Sequence, residues 1–125
     1  MKKFVFSNEK YHGIKTNEYD TLKRKMQSVD KSIETVVALI NELATRFEIE
    51  RQSYIKACRE GISVERIHSY HAFFPYLREE QKKAQLERQR LEEEKRKLRE
   101  ALIKLFNELK ALEKMREEQI GRAHV

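Results

Sequence analysis

One stripe of residues, repeating in alternating steps of three and four between Ile67 and Leu112, constrains this chain more than any other feature. This spacing is typical of the seam of a coiled coil. The residues between the stripe positions are mostly Glu, Lys, Arg and Gln, so the predicted helix has one narrow apolar face. Because such a helix cannot bury its apolar face alone, the segment needs a helical partner. The stripe consists of Ile67, Tyr70, Phe74, Leu77, Gln81, Ala84, Arg88, Leu91, Lys95, Leu98, Leu102, Leu105, Leu109 and Leu112.

A second stripe with the same spacing occupies the first half of the chain and supplies that partner. Gly61 lies between the two stripes, and glycine is the usual residue just past a helix end because it adopts the left-handed conformation without strain. Ser63 is a candidate N-cap for the second helix, with Glu65 in its first turn. A short connection of this kind makes the two helices antiparallel neighbours. The second stripe consists of Leu22, Met26, Val29, Ile33, Val36, Ile40, Leu43 and Phe47, and it continues through Tyr54 and Ala57.

These two stripes predict an all-α fold in which two long helices form an antiparallel coiled-coil hairpin. We expect a single domain over residues 1–120, with arms at about 8–59 and 63–120 and a turn at 60–62. The first arm begins at about residue 8 or as late as residue 16. Residues 121–125 break from the charged pattern before them and form a tail, native or non-native, outside the fold prediction.

The positions of the stripes also predict the pairing of residues across the two helices. Folding the chain about Gly61 sets Met26 near Leu98 and Ile33 near Leu91. Polar residues occupy the second stripe in three successive heptads, so the middle of the hairpin is predicted to be its least well packed part. These three residues are Gln81, Arg88 and Lys95.

The composition agrees with long helices. Charged residues make up 38% of the chain, which contains three glycines, one proline and no tryptophan. A sheet protein would need more turn residues than this. The one proline, Pro75, falls inside the second helix, where it removes a backbone hydrogen bond. We therefore predict a kink between Ala72 and Pro75 and no domain boundary there, because the stripe continues in register.

The net charge of +6 does not by itself indicate nucleic-acid binding. Basic and acidic residues nearly cancel within each arm, so the sequence forms no basic face and no nucleic-acid partner is expected. A lone cysteine, Cys58, fits a reducing compartment. The longest apolar run, Val36 to Ile40, is too short to span a bilayer. The sequence predicts a soluble, cytoplasmic protein.

No motif for catalysis is found in the sequence. It has no glycine-rich phosphate loop and no nucleophile elbow. His68 and His71 lie three residues apart on a helix, a spacing that can hold a metal ion, but no third ligand is near them in the sequence. We therefore expect no enzymatic activity, no metal and no cofactor.

Two pairs of apolar residues lie beside the second stripe, and each can be interpreted in two ways. Phe73 and Tyr76 either form a docking surface or cover the flank of the first helix near Phe47 and Tyr54. Ile103 and Phe106 either pack against the N-terminal aromatic residues Phe4, Phe6 and Tyr11 or contact another protein.

Four segments of the chain resemble the FliJ family of flagellar export proteins. They are the opening residues MKKFVFSNEK, the turn EGISVE at residues 60–65, the segment FFPYL at residues 73–77 and ALEKMRE at residues 111–117. Their order matches the family, and the resemblance covers Met1 to about Gln119. It implies an antiparallel two-helix coiled coil that takes part in flagellum biogenesis as a component of the type III protein export apparatus.

The resemblance also implies partners. FliJ-like proteins bind the hexameric export ATPase FliI and the export-gate protein FlhA, and they cooperate with substrate chaperones, so any membrane association is peripheral and made through partners. The implied gate-binding residues are Phe73, Tyr76 and Leu77. The implied ATPase-binding end contains Phe4, Phe6, Lys10 and Lys15. The alternative is a structural coiled-coil scaffold that dimerises or binds another helical partner.

Overall fold

A computed structural model describes the backbone of residues 2–123 and the side chains of residues 8–122. Helix α1 spans Lys2–Glu60 and helix α2 spans Val64–Ala123. The described residues contain no strand, and the two long helices pack against each other, so the predicted all-α fold is confirmed.

The chain reverses direction in the three residues between the helices. Gly61 has a φ angle of 96°, in the left-handed region where only glycine is free of strain. Ser63 caps α2, because its Oγ accepts a hydrogen bond from the backbone N–H of Arg66 at 3.3 Å. The Ser63 carbonyl accepts a second from the N–H of Ile67 at 3.1 Å. The sequence predicted Gly61 just past the end of the first helix and Ser63 as the N-cap of the second, and the structure agrees with both.

The helices extend past two residues that usually interrupt helices. Helix α1 begins at Lys2, earlier than predicted, and passes through Gly13, which costs about 1 kcal/mol relative to alanine. Helix α2 continues through Pro75. The carbonyl that loses its partner there belongs to His71, an exposed residue, so water can satisfy it. Pro75 is therefore no boundary between elements.

The chain forms two compact units. The turn unit comprises Lys31–Glu92, and the terminal unit comprises Met1–Asp30 with Glu93–Val125. Each unit contains part of α1 and part of α2, so each has its own contacts between the helices.

Aromatic rings join the helices in the turn unit. The ring centroids of Phe47 and Phe74 are 5.4 Å apart, and those of Tyr54 and Tyr70 are 5.0 Å apart. Tyr54 comes after Phe47 in α1, whereas its partner Tyr70 comes before Phe74 in α2, so the helices are antiparallel. Leu77 is the most deeply buried residue, 2% exposed. The buried core of the turn unit consists of Ala57, Leu77, Ala84 and Leu91.

Charged side chains join the helices in the terminal unit, around a small apolar core that includes Val29 and Leu105. The order of the pairs shows that the helices are antiparallel here as well. The bridge from Asp30 to Lys95 also fits the register that was predicted to set Met26 near Leu98. Pairs between α1 and α2 in the described part of this unit include Asp30 with Lys95 at 2.7 Å, Lys15 with Glu108 at 3.1 Å and His12 with Glu113 at 3.7 Å.

The predicted stripe on α2 lies against α1 except at Arg88. Arg88 is exposed, and the half-buried residue beside it is Glu87. The prediction that Arg88 belongs to the seam is therefore wrong. A guanidinium group without a partner across the seam remains in water, because burying an unpaired charge is costly. Lys95 stays half-buried because Asp30 of α1 lies opposite and neutralises it.

Helix α2 also carries ion pairs along its own surface. Arg90 contacts Glu87 at 2.6 Å, and Arg96 contacts both Glu93 at 2.7 Å and Glu100 at 2.5 Å. Hydrogen bonds from these arginines lower the pKa of Glu87 and Glu93. All of these pairs have the three- or four-residue spacing that stabilises an isolated helix.

Candidate partner-binding surfaces

Phe73 and Tyr76 form one aromatic surface in the turn unit. Their rings are stacked with centroids 6.1 Å apart, and Tyr76 is 57% exposed. Phe73 is half-buried, with the guanidinium of Arg46 on α1 lying 5.5 Å from its ring centroid. Phe73 is thus fixed by a contact with α1, whereas Tyr76 presents its ring to solvent.

Leu77, the third residue implied for gate binding, is placed differently from the other two. Its side chain is 2% exposed and belongs to the core between the helices. A partner could contact Leu77 only if α1 and α2 separated at this point. The exposed surface therefore consists of Phe73 and Tyr76, and Leu77 holds α2 in place beneath them.

A groove between α1 and α2 adjoins this aromatic surface. Its volume is about 480 Å³, and we call it the Phe73 groove. The sequence did not reveal it, because its lining comes from residues of both helices that lie beside the two stripes. Six residues line the groove: Arg46 and Glu50 of α1, and Arg66, Ser69, Tyr70 and Phe73 of α2.

The residues implied for ATPase binding have unequal surroundings in the terminal unit. Lys10 is exposed, whereas the side chain of Lys15 is 19% exposed and its Nζ lies 3.1 Å from Glu108. The Glu108 carboxylate beside it raises the pKa of Lys15. Lys15 therefore joins the two helices. Phe4 and Phe6 lie outside the residues whose side chains the structure describes.

A second apolar surface in the terminal unit is formed by Ile103 and Phe106. They are 55% and 45% exposed, respectively. The ring of Phe106 lies 6.5 Å from that of Tyr19 on α1, and the Nζ of Lys110 lies 4.8 Å from the Phe106 centroid. Tyr19 is thus an aromatic partner of Phe106, one that the sequence interpretation did not name.

Near the turn, the side chains suggest no site for a metal ion. The Tyr54 hydroxyl lies 3.2 Å from Nε2 of His71, and the nearby thiol of Cys58 raises the pKa of Tyr54. Over residues 8–122, no cluster of three or more His, Cys, Asp or Glu side chains could hold a metal ion. His68 and His71 thus gain no third ligand of these types there.

Neither helix, within its described part, has a stretch long and apolar enough to cross a membrane. In the comparison with protein families, the family model described as Flagellar FliJ protein matches residues 9–124. Neither the search of curated proteins nor that of solved structures returned a match.

The match extends over nearly the whole of both helices, and it agrees with the segments that resemble the family and with the confirmed fold. Membership carries with it a role connected with flagellar protein export. The chain belongs to the FliJ family of flagellar proteins.

Proposed function

We propose that this protein is a non-enzymatic adaptor of flagellar protein export, which binds the export ATPase and the export gate and assists the handling of substrates or their chaperones. It would act in the cytoplasm and reach the membrane-embedded gate through protein contacts. The observation that carries the proposal is the exposed aromatic surface of Phe73 and Tyr76 in a chain of this family.

In this proposal, Phe73 and Tyr76 form the surface that binds the gate protein. Exposed aromatic residues are frequent hot spots of protein interfaces. Phe73 is already fixed under Arg46, so little side-chain entropy is lost when a partner covers it. Leu77 contributes indirectly, because its burial fixes the part of α2 that carries the two rings.

The terminal unit binds the ATPase in this proposal, through the exposed Lys10. Phe4 and Phe6 are included on the sequence resemblance alone. Lys15 supports this end of the molecule by pairing with Glu108. In this arrangement the two partners use different units of the chain, so each can be lost without the other.

The test is a titration of the purified protein with the soluble domain of the gate protein and, separately, with the export ATPase. Replacing Phe73 and Tyr76 with alanine should weaken gate binding by about thirtyfold or more, since truncating hot-spot residues typically costs 2 kcal/mol or more. ATPase binding should be unchanged. Leu86→Ala is the matched control, because Leu86 is also exposed but lies elsewhere on α2.

The complementary variant is Lys10→Gln, which should weaken ATPase binding by about threefold and leave gate binding intact, as expected for an exposed charge. Lys31→Gln removes an exposed charge from α1 of the turn unit and is the control. If the unmodified protein binds neither partner, or if the aromatic variant binds the gate normally, the proposal is wrong.

A second candidate function is a scaffold that dimerises through its own surface. The exposed pair of Ile103 and Phe106 favours it, because neighbouring apolar side chains in water can mark an interface. Sedimentation separates the two candidates: a chain of 15.1 kDa should remain monomeric if it is an adaptor and double its mass if it is such a scaffold.

A further inference from the structure

We propose that the Phe73 groove recognises a segment of the gate protein that carries one carboxylate beside an apolar side chain. This inference rests on the proposed function and specifies the chemistry of the gate contact.

The first observation is that both arginines of the groove lack an acidic partner. In the described part of the chain, no carboxylate lies within ion-pair distance of the guanidinium of Arg46 or Arg66. Arg51, Arg90 and Arg96, by contrast, each contact a glutamate on their own helix. Guanidinium groups bind carboxylates through two parallel hydrogen bonds, so these two arginines suit an acidic ligand.

The second observation is the charge balance of the groove. Glu50 lines it together with Arg46 and Arg66, so two positive charges face one negative charge. One further carboxylate would make the net charge of these side chains zero, whereas a second would make it negative. The groove is therefore matched to a ligand with a single acidic group.

The third observation is the apolar wall. The rings of Tyr70 and Phe73 line the groove, and the exposed ring of Tyr76 stacks on Phe73 just outside it. The hydroxyl of Ser69 donates to the carbonyl of Glu65 at 3.1 Å, so its proton is already used. A volume of about 480 Å³ is of the size that receives small ligands and side chains. An apolar side chain next to the carboxylate would cover these rings.

The experiment measures binding of the soluble gate domain to the full chain at low and at high salt. Replacing both Arg46 and Arg66 with glutamine should weaken binding by about tenfold at low salt and reduce its salt dependence. The control with the same loss of charge is Arg88→Gln with Arg99→Gln, two exposed arginines outside the groove. ATPase binding and helical content, measured on every variant, show that the fold is intact.

Glu50→Gln provides a test of opposite sign. Removing this carboxylate removes a negative charge that would repel an acidic ligand, so gate binding should tighten by about threefold. If the unmodified protein binds the gate but the glutamine variants at Arg46 and Arg66 and at Glu50 bind equally well, this inference is wrong and the proposed function stands. If the unmodified protein does not bind the gate, both are wrong.

Discussion

The turn unit and the terminal unit join the same two helices by different chemistry. Aromatic rings of Phe47, Tyr54, Tyr70 and Phe74 meet between the helices of the turn unit. Ion pairs such as Asp30 with Lys95 join the helices of the terminal unit, beside the ring contact of Tyr19 with Phe106. The heptad pattern therefore determines which positions face the other helix. It does not determine whether the residues there form ring contacts or ion pairs. Ring contacts carry no charge for salt to screen, whereas partly exposed ion pairs weaken as salt is added.

The largest effect should come from the core of the turn unit. Leu77→Ala removes the most buried side chain and should lower the free energy of unfolding by about 2–5 kcal/mol, because the cavity can close only partly. Urea unfolding followed by circular dichroism measures the change. Leu86→Ala removes an exposed leucine from the same helix and should stay within about 0.5 kcal/mol of the unmodified protein. Equal losses would show that Leu77 is not in the core.

The aromatic contacts should give the next largest effect. Phe74→Leu keeps an apolar side chain but removes ring contacts with Phe47, Tyr54 and Tyr70, and it should cost about 1 kcal/mol. The loss should be the same at low and high salt. A loss that shrinks as salt is added would contradict the distinction between the two units.

The ion pair of the terminal unit should respond in the opposite way. Asp30→Asn removes the charge that faces Lys95 and should cost about 0.5–1 kcal/mol at low salt, because both side chains are partly exposed. The same unfolding measurement at high salt should show a smaller loss, since the pair is screened there. An unchanged loss would mean that the Asp30 carboxylate acts by a route other than its charge.

The smallest effect concerns a pair within α1 of the turn unit. Hydrogen bonds from Arg51 and Gln52 lower the pKa of Glu48 from 4.5 to about 2. A carboxyl group whose pKa is lowered by folding stabilises the fold above pH 4.5, and this contribution is lost as the pH falls toward 2. Arg51→Gln should move the pKa of Glu48 back toward 4.5 in an NMR titration. A pKa that stays near 2 would contradict this assignment.

The fold could be predicted from the sequence because its determinants are local. The spacing of the stripes gives the two helices, and Gly61 with Ser63 gives the turn, since each depends on residues close together in the chain. The early start of α1 could not be predicted in this way, because Gly13 by itself weakens a helix. Contacts with α2, such as those of His12 and Lys15, stabilise the helix on both sides of Gly13.

The candidate surfaces could be predicted only in part. Phe73 and Tyr76 can be recognised from the sequence because they lie beside the stripe, but the burial of Leu77 and the cation above Phe73 depend on the facing helix. Arg88 and Lys95 have the same heptad position, and whether each is buried depends on its neighbours across the seam. Knowing that Asp30 faces Lys95 requires the register to within one residue.

The ion pairs along the surface of α2 differ from the contacts between the helices in that they close within one helix. Glu87 with Arg90 and Glu93 with Arg96 would survive if α1 were separated from α2, because both partners of each pair lie on α2. These ion pairs therefore stabilise the helical conformation of α2 independently of α1. A partner that displaces α1 from this stretch would meet an α2 that is already helical. When α1 packs against it again, helix α2 would need no new nucleation step.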